Sequence, residues 1–297
     1  MNFNKKLILP ISLSLVSVLL GLFSFTRIIS QKENNKSFAN WMSKLDDNTS
    51  IRDIAMPGSH DTMALYSIGN LAGQCQSLSL KDQLNLGVRF LDIRLKEENG
   101  HLKAVHGIVD EKADFKDITE TINSFLSTHN KEFIIMSIKQ EVGNSSTFES
   151  TLKSYLTFNS FLLDTNLPNN IGEVRGKALL LSRYENSTIG VPAYNGWQDS
   201  TSFVMNDIYI QDTFRITSLD TKKDEIIRCF NETGHALKIN FLSAYMTNGF
   251  PPSYAPSAAS GINPWINENI KNYHDRGIVL YDFVTKENMT AFFEGIL

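Results

Sequence analysis

Two histidines lie in short segments whose neighbours favour an exposed imidazole. His60 stands in Pro57-Gly58-Ser59-His60-Asp61-Thr62, where proline and glycine turn the chain and leave the ring and the next carboxylate exposed together. His106 is followed by Gly107, which permits close approach of a ligand. An imidazole titrates near neutral pH, so two of them on one rim can serve as base and acid across a phosphoryl group. A structural turn histidine is the alternative for each.

Arg94 is the third residue that this chemistry would use. It ends the segment Phe90-Leu91-Asp92-Ile93-Arg94, and alternation along a strand puts Asp92 and Arg94 on one face, where they can pair. The planar fork of a guanidinium matches the two non-bridging oxygens of a phosphodiester. The alternative is a salt bridge that only ties the end of the sheet together.

The elements that must position these residues are short strands alternating with longer amphipathic stretches. That rhythm predicts an α/β fold, a single distorted TIM-like (β/α) barrel with mostly parallel strands. The candidate strands are residues 52–56, 88–94, 103–106, 133–139, 178–183, 207–212, 237–242 and 277–282. The next polar residues are, in order, His60, Arg94, His106, Lys139, Arg183, Asp212, Ser243 and Asp282. In a parallel barrel these positions share the carboxyl-end mouth, where barrel enzymes carry their chemistry.

The N-terminus has the pattern of an export signal. Lys5 and Lys6 precede an uncharged apolar run, 7–25. We predict that residues 1–39 are a signal peptide or a retained N-terminal anchor with a short linker, and that 40–297 form one domain. The protein is then secreted, or held at the cell surface if the segment is retained.

Charge and cysteine content exclude some roles. The chain of 297 residues has a net charge of -4, which becomes -8 without residues 1–39. A nucleic-acid role is therefore not expected, and any contact with an anionic membrane should be apolar and local. Cys75 and Cys229 are the only cysteines, and we favour two free or buried thiols over a disulfide. We expect a monomer.

The chain resembles the bacterial phosphatidylinositol-specific phospholipases C, which share the X domain of the eukaryotic phosphoinositide enzymes. The resemblance runs from about Trp41 to Asp282. The segments that carry it are Pro57-Gly58-Ser59-His60-Asp61, Gly87 to Arg94, Val105-His106-Gly107, Ile134 to Lys139, Arg175 to Tyr184 and Tyr281-Asp282-Phe283. Each is short, but their order and spacing together are specific.

The resemblance implies a catalytic role for five residues. His60, oriented by Asp282, would take the proton from the inositol 2-hydroxyl, and that oxygen would attack phosphorus. Arg94 would bind the non-bridging oxygens, and His106, helped by Asp61, would protonate the departing diacylglycerol oxygen. The product would be inositol 1,2-cyclic phosphate, and slow hydrolysis would follow. The substrate would be membrane phosphatidylinositol, with glycosylated phosphatidylinositol anchors left open.

The resemblance also implies an inositol site and no cofactor or metal. The site would use Lys139, Arg183, Asp212 and Phe214 together with Asp92, although the family usually has tyrosine where Phe214 stands. For Lys139 and Arg183, simple neutralisation of the nearby Glu141 and Glu185 is the alternative. Calcium-using relatives have a carboxylate in the place of Arg94 and asparagine in the place of Asp61. A guanidinium cannot ligate a cation, but it can replace one.

A departure from the bacterial relatives concerns the membrane. They commonly have a rim tryptophan after the first histidine, and none stands between Met63 and Gln76. The apolar candidates for membrane contact there are Leu65, Tyr66, Ile68 and Leu71, and a second rim loop offers Phe250 and Tyr254, with packing beneath the rim loops as the alternative.

Two other functions fit a barrel of this kind. Glycerophosphodiester phosphodiesterases use a metal held by several carboxylates, but their usual histidine-arginine-glycine opening and a carboxylate cluster at the strand ends are both missing from this sequence. A non-catalytic barrel that only binds inositol lipids is the second alternative, because fold does not determine function.

Overall fold

The parallel strands are almost continuously apolar, which is the pattern of strands buried on both faces. In the computed structural model, which describes residues 38–68, 73–235, 237–248 and 254–297, every residue of Ala178–Arg183 and of Leu237–Phe241 is buried. The predicted N-terminal segment up to residue 37, Leu71 and Phe250 lie outside the described residues. No helix in the described ranges is long and apolar enough to cross a bilayer.

The described strands and helices alternate along most of the chain. The strands are β1 (Met56–Ser59), β2 (Phe90–Glu98), β3 (His101–His106), β4 (Val109–Asp114), β5 (Ile134–Val142), β6 (Phe161–Leu162), β7 (Ala178–Arg183), β8 (Val191–Pro192), β9 (Ser202–Met205), β10 (Ile208–Gln211), β11 (Arg215–Ile216), β12 (Leu237–Phe241), β13 (Tyr245–Met246) and β14 (Ile278–Tyr281). The helices are α1 (Leu80–Asn85), α2 (Phe115–Thr128), α3 (Phe148–Tyr155), α4 (Leu219–Asn231), α5 (Ala255–Asn269) and α6 (Lys286–Phe293). Short 3-10 turns cover Trp41–Lys44, Ile51–Asp53, Ile171–Glu173 and Ile270–Asn272.

The sheet confirms the predicted α/β fold, a mostly parallel, curled, barrel-type sheet. Neighbouring parallel strands follow the order β7, β5, β2, β1, β14, β12 and β10, with β9 antiparallel at one end and β6 and β8 beside β7. No ladder joins β7 to β10 in the described ranges, so the wall is open there. This opening is the distortion from a closed barrel.

Two predicted strands differ from the structure. Of residues 52–56 only Met56 belongs to a strand, because the Ser50 side chain accepts a hydrogen bond from the Arg52 N–H and caps the 3-10 turn Ile51–Asp53. The strand at 103–106 belongs to β3, which is antiparallel to β2 in a hairpin rather than a parallel barrel strand. His106 still reaches the mouth, because β2 extends past Arg94 to Glu98 and β3 returns along it.

Gly58 sets the spacing between the two strands that carry His60 and Arg94. A Cβ at this position would lie 2.9 Å from the Phe90 Cβ, closer than real Cβ atoms approach. The glycine in the Pro-Gly-Ser-His segment therefore allows β1 and β2 to pair at Gly58 and Phe90. That pairing places the residues following β1 beside Asp92 and Arg94.

Candidate active site

The predicted polar residues surround one pocket at the carboxyl ends of the parallel strands. The pocket has a volume of about 1100 Å³. The predicted site residues that line it are His60, Arg94, His106, Lys139, Arg183, Asp212, Phe214, Tyr254 and Asp282. The remaining two, Asp61 and Asp92, are buried and contact Arg94. The structure thus brings together every described residue that the sequence placed in the site.

His60 is held between a carboxylate and a guanidinium. Its Nδ1 lies 2.7 Å from Oδ1 of Asp282, and its Nε2 lies 2.8 Å from Nη2 of Arg94. A carboxylate only accepts and a guanidinium only donates, so the proton of the neutral ring is on Nδ1 and the Nε2 lone pair accepts a hydrogen bond from Arg94. Burial alone would lower the pKa of His60, but the Asp282 carboxylate outweighs it and the pKa is raised. His60 is thus arranged as a base.

His106 has its own carboxylate. Its Nδ1 lies 2.6 Å from the Gly73 carbonyl oxygen and 3.4 Å from Oδ2 of Asp61. The carbonyl accepts, so Nδ1 carries a proton and Nε2 is left for a ligand. Burial raises the pKa of Asp61, although the cationic partners Arg94 and His106 oppose the effect. Asp61 has a φ of 42°, a left-handed conformation that few side chains adopt, held here by a hydrogen bond from its N–H to Asp92.

Asp92 joins the two arginines of the site. Its Oδ2 accepts from Nη2 of Arg94 at 3.1 Å, and its Oδ1 accepts from Nη1 of Arg183 at 3.0 Å. Burial would raise the pKa of Asp92, but Arg94 and Arg183 hold it well below its usual range. The predicted pairing of Asp92 with Arg94 is present. Asp92 holds both guanidinium groups and does not itself line the pocket.

Two cations on the far side of the pocket differ in their partners. Nζ of Lys139 lies 2.6 Å from Oε2 of Glu141, so the neutralisation that the sequence left as an alternative is present. Lys139 also lines the pocket, so the ion pair and a contact with a ligand are compatible. Arg183 pairs with Asp92 instead of the neighbouring Glu185, which accepts from Asn144.

Trp197 is a pocket residue that the sequence reasoning missed. Its ring covers the Arg183 guanidinium, with Cζ 3.6 Å from the ring centroid, and its Nε1 donates to Oδ2 of Asp212 at 3.0 Å. It therefore fixes a cation and an anion of the site together. The available signal was an aromatic residue after the Asn195-Gly196 turn in a polar loop. Glu141 and Cys75 also line the pocket and were not predicted to do so.

The mouth of the pocket exposes aliphatic and aromatic side chains. Ile108, at the tip between β3 and β4, is 92% exposed, and Ile68 and Tyr194 are 50% and 46% exposed. All three line the pocket. Tyr254, predicted to contact membrane, lines the same pocket and is half-buried at the start of α5. Sequence reasoning missed Ile108 because a single apolar residue in a hairpin turn carries no periodic signal.

Both cysteines are free and buried, as favoured from the sequence. Cys229 lies in the core, where its Sγ is 4.0 Å from the Ile239 carbonyl oxygen. Cys75 lies in the floor of the pocket, with its Sγ 3.9 Å from Nδ1 of His106. The two thiols therefore have unlike surroundings.

The arrangement matches known proteins in sequence and in structure. Residues 55–184 match the family described as phosphatidylinositol-specific phospholipase C, X domain. The chain is 29% identical over 273 residues to a 1-phosphatidylinositol phosphodiesterase of Listeria monocytogenes, covering 86% of this chain and 84% of the relative. A protein of the same name from Staphylococcus aureus is 27% identical over 300 residues, covering 90% and 89%.

A solved structure agrees with these matches. The phosphatidylinositol-specific phospholipase C from Listeria monocytogenes superposes with a TM-score of 0.74 at 25% identity, covering 87% of this chain and 98% of that chain. The barrel-type fold is therefore shared with a phospholipase. Residues 55–184 therefore match the phosphatidylinositol-specific phospholipase C X domain, and the chain is similar over most of its length to bacterial enzymes of that kind.

Proposed function

We propose that this protein is a phosphatidylinositol-specific phospholipase C that cleaves membrane phosphatidylinositol to diacylglycerol and inositol 1,2-cyclic phosphate, a phosphorus-oxygen lyase reaction. The observation that carries the proposal is one guanidinium, Arg94, in contact with His60 on one side and with the carboxylate partner of His106 on the other. A direct test is release of diacylglycerol from phosphatidylinositol vesicles, with phosphatidylcholine vesicles as the control.

The first half of the reaction is proton removal by His60. When Arg94 donates to the phosphate instead of to Nε2, the Nε2 lone pair accepts the proton of the inositol 2-hydroxyl, and the resulting oxygen attacks phosphorus. Asp282 stabilises the imidazolium that forms, because its carboxylate already accepts from Nδ1 at 2.7 Å. The attacking group belongs to the substrate itself, so correct placement alone can lower the barrier by about 7 kcal/mol or more.

The second half is charge stabilisation and protonation of the leaving group. Arg94 is held by Asp92 at 3.1 Å and by Asp61 at 3.4 Å, so its fork is already oriented when phosphate arrives. His106 acts in its doubly protonated form, which Asp61 stabilises: it keeps the proton on Nδ1 and donates the one on Nε2 to the diacylglycerol oxygen. The bond between phosphorus and that oxygen breaks, and the cyclic phosphate remains.

Arg94 also supports a reaction that uses no metal. It occupies the position where the calcium-using relatives have a carboxylate, and a guanidinium neutralises phosphate charge without ligating a cation. Each protein anion near it, Asp61, Asp92 and Glu141, lies within 4.0 Å of its nitrogens. Those carboxylates therefore already have a cationic partner.

Asp282→Asn should lower kcat/KM for phosphatidylinositol by about 100-fold, because the base remains but loses its orienting carboxylate. The carboxylate raises the pKa of His60, so removing it should also move the acid limb of the pH-rate profile to lower pH. Below the pKa of His60 the base is protonated and inactive. A pH-rate profile of the variant checks both effects, and an acid limb at unchanged pH would contradict the pairing.

Membrane contact is proposed to come from the apolar rim around the pocket. The net charge of -8 after residue 39 gives no long-range attraction to anionic lipid. Ile108, Ile68 and Tyr194 present apolar surface beside the pocket, and Tyr254 lines the same pocket. Burial of a single aliphatic side chain contributes about 1.5–3 kcal/mol when complete, so docking through a few of them is weak.

Ile108→Ser should lower cleavage of phosphatidylinositol in vesicles by about tenfold, which corresponds to partial burial of one aliphatic side chain. Hydrolysis of soluble inositol 1,2-cyclic phosphate should stay unchanged, because the reacting groups do not include Ile108. Val204→Ser is the matched control, since Val204 is 53% exposed on β9 and does not line the pocket. Equal loss of both activities would mean that Ile108 supports the pocket and does not touch lipid.

Export and the range of substrates belong to the same proposal. The basic and apolar start of the chain, residues 5–25, supports secretion or display at the cell surface. Cleavage of glycosylated phosphatidylinositol anchors is proposed as a second activity, because the scissile phosphodiester is the same. Release of an anchored reporter enzyme from cell membranes would test it.

A further inference from the structure

Cys75 lies between the two pairs formed by a histidine and an aspartate. Its thiol is 1% exposed in the floor of the pocket and plays no part in the reaction described above. The donor atoms of Asp61, Cys75 and His106 all lie within 4.8 Å of one another, and so do those of His60, Cys75 and Asp282. A thiol, an imidazole and a carboxylate together are the donor set that zinc prefers.

We propose that Asp61, Cys75 and His106 form an inhibitory site for Zn²⁺ and similar borderline-soft divalent cations. The metal is not a cofactor here. A bound metal engages His106, which protonates the leaving group, and its partner Asp61, so neither residue can take part in the reaction. The inhibition rests on the proposed phospholipase function, whereas the binding does not.

The spacing of the donors distinguishes between the two candidate sets. In a tetrahedral zinc site with bond lengths of about 2.0–2.3 Å, ligand atoms lie about 3.3–3.7 Å apart. Nδ1 of His106 is 3.4 Å from Oδ2 of Asp61 and 3.9 Å from Sγ of Cys75, so this set needs only a small adjustment. In the other set Nδ1 of His60 is 2.7 Å from Oδ1 of Asp282, too close for two ligands of one ion.

A buried carboxylate oxygen without a hydrogen bond is a second feature that points to a cation. Oδ2 of Asp61 is buried and has no hydrogen-bond partner among the described residues, although Nη1 of Arg94 lies 3.4 Å away. A buried carboxylate oxygen without a hydrogen bond carries a desolvation cost that a ligated metal would remove. The carboxylate and a thiolate give two negative charges against the single positive charge of Arg94, so a divalent ion is acceptable there.

Binding of the metal requires two proton movements. The thiol of Cys75 loses its proton to water as the sulfur-metal bond forms, and the ring of His106 is metallated at Nδ1 with its proton on Nε2. The hydrogen bond from Nδ1 to the Gly73 carbonyl, now 2.6 Å, is lost in exchange. His106 fixed to the metal in this way can no longer cycle as the general acid.

Cobalt tests the binding without reference to activity. The full protein titrated with Co²⁺ should develop an absorption band from charge transfer between thiolate and cobalt, and excess Zn²⁺ should remove it. Cys75→Ser should abolish the band, with Cys75→Ala as a second variant and thermal unfolding as the check on folding. Cys229→Ser is the matched control and should keep the band. A wild-type protein without the band, or a Cys75 variant that keeps it, would overturn the site.

The inhibition is tested by the rate of vesicle cleavage with Zn²⁺ relative to the rate of the same variant in chelator. Cys75→Ser should raise the Zn²⁺ concentration for half inhibition by at least about tenfold, while Cys229→Ser should leave it unchanged. A cobalt band together with unimpaired cleavage in Zn²⁺ would overturn the inhibitory role. If the protein did not cleave phosphatidylinositol at all, the cobalt result would still decide the metal site.

Discussion

His60→Ala and His106→Ala should each lower the turnover of phosphatidylinositol by about 10⁴-fold, the upper end of what a general acid or base contributes. Neither ring can replace the other, since each is oriented by its own partner: Asp282 for His60, and the Gly73 carbonyl with Asp61 for His106. Steady-state rates on vesicles measure the loss. Both variants should remain folded, because the rings are only partly buried at the pocket surface.

His101→Ala is the matched control for His106→Ala. His101 lies at the other end of β3, is exposed and does not line the pocket. Its replacement should leave turnover within about twofold of the unmodified protein, in keeping with ordinary surface substitutions. A rate near that of the unmodified protein in either of the two pocket variants would remove that histidine from the reaction.

Arg94→Lys should lower kcat by about 10³-fold although the charge is conserved. The guanidinium contacts Asp92 through Nε and Nη2, at 3.3 Å and 3.1 Å, and Nη1 lies 3.4 Å from Asp61. A single ammonium cannot make these contacts and also present two parallel donors to phosphate. Arg52→Lys is the matched control, because Arg52 pairs with Asp207 outside the pocket.

The same residue predicts the response of the unmodified protein to metal ions. Activity should persist in excess chelator and should not rise on addition of calcium, because Arg94 supplies the positive charge at phosphorus. A rate that depends on calcium would contradict this role of Arg94. Only a fewfold loss in Arg94→Lys would show that charge alone, and not the fork, is required.

Much of the site could be predicted because it depends on strand ends. A polar residue at or directly after the end of a buried apolar strand must emerge at the edge of a parallel sheet, as Arg183 at the end of β7 and Asp282 after β14 do. Lys139 also lines the pocket, although β5 continues past it to Val142. Strand direction was less predictable. The segment containing His106 has the composition of a barrel strand, and its antiparallel pairing with β2 depends on the tight turn at Asn99 and Gly100, both with positive φ.

The missed features depend on contacts between residues far apart in the chain. Trp197 is positioned by its contacts with Arg183 and Asp212. Cys75 belongs to the site because it lies beside His106, which is 31 residues away in the chain. Proximity in the sequence also suggested Glu185 as a partner for Arg183, whereas in the structure Arg183 on β7 pairs with Asp92 on β2, with β5 between the two strands. The opening between β7 and β10 arises because these two strands do not pair, and neither strand's sequence contains a signal for that.

The most direct test of the central claim is phosphorus NMR of the reaction on phosphatidylinositol vesicles in excess chelator. Proton removal by His60 from the inositol 2-hydroxyl requires that the first product be inositol 1,2-cyclic phosphate, with inositol 1-phosphate appearing later and more slowly. We expect a cyclic phosphate signal that grows first at the expense of the lipid signal. Direct formation of inositol 1-phosphate with no cyclic intermediate, or no reaction until a metal is added, would contradict it.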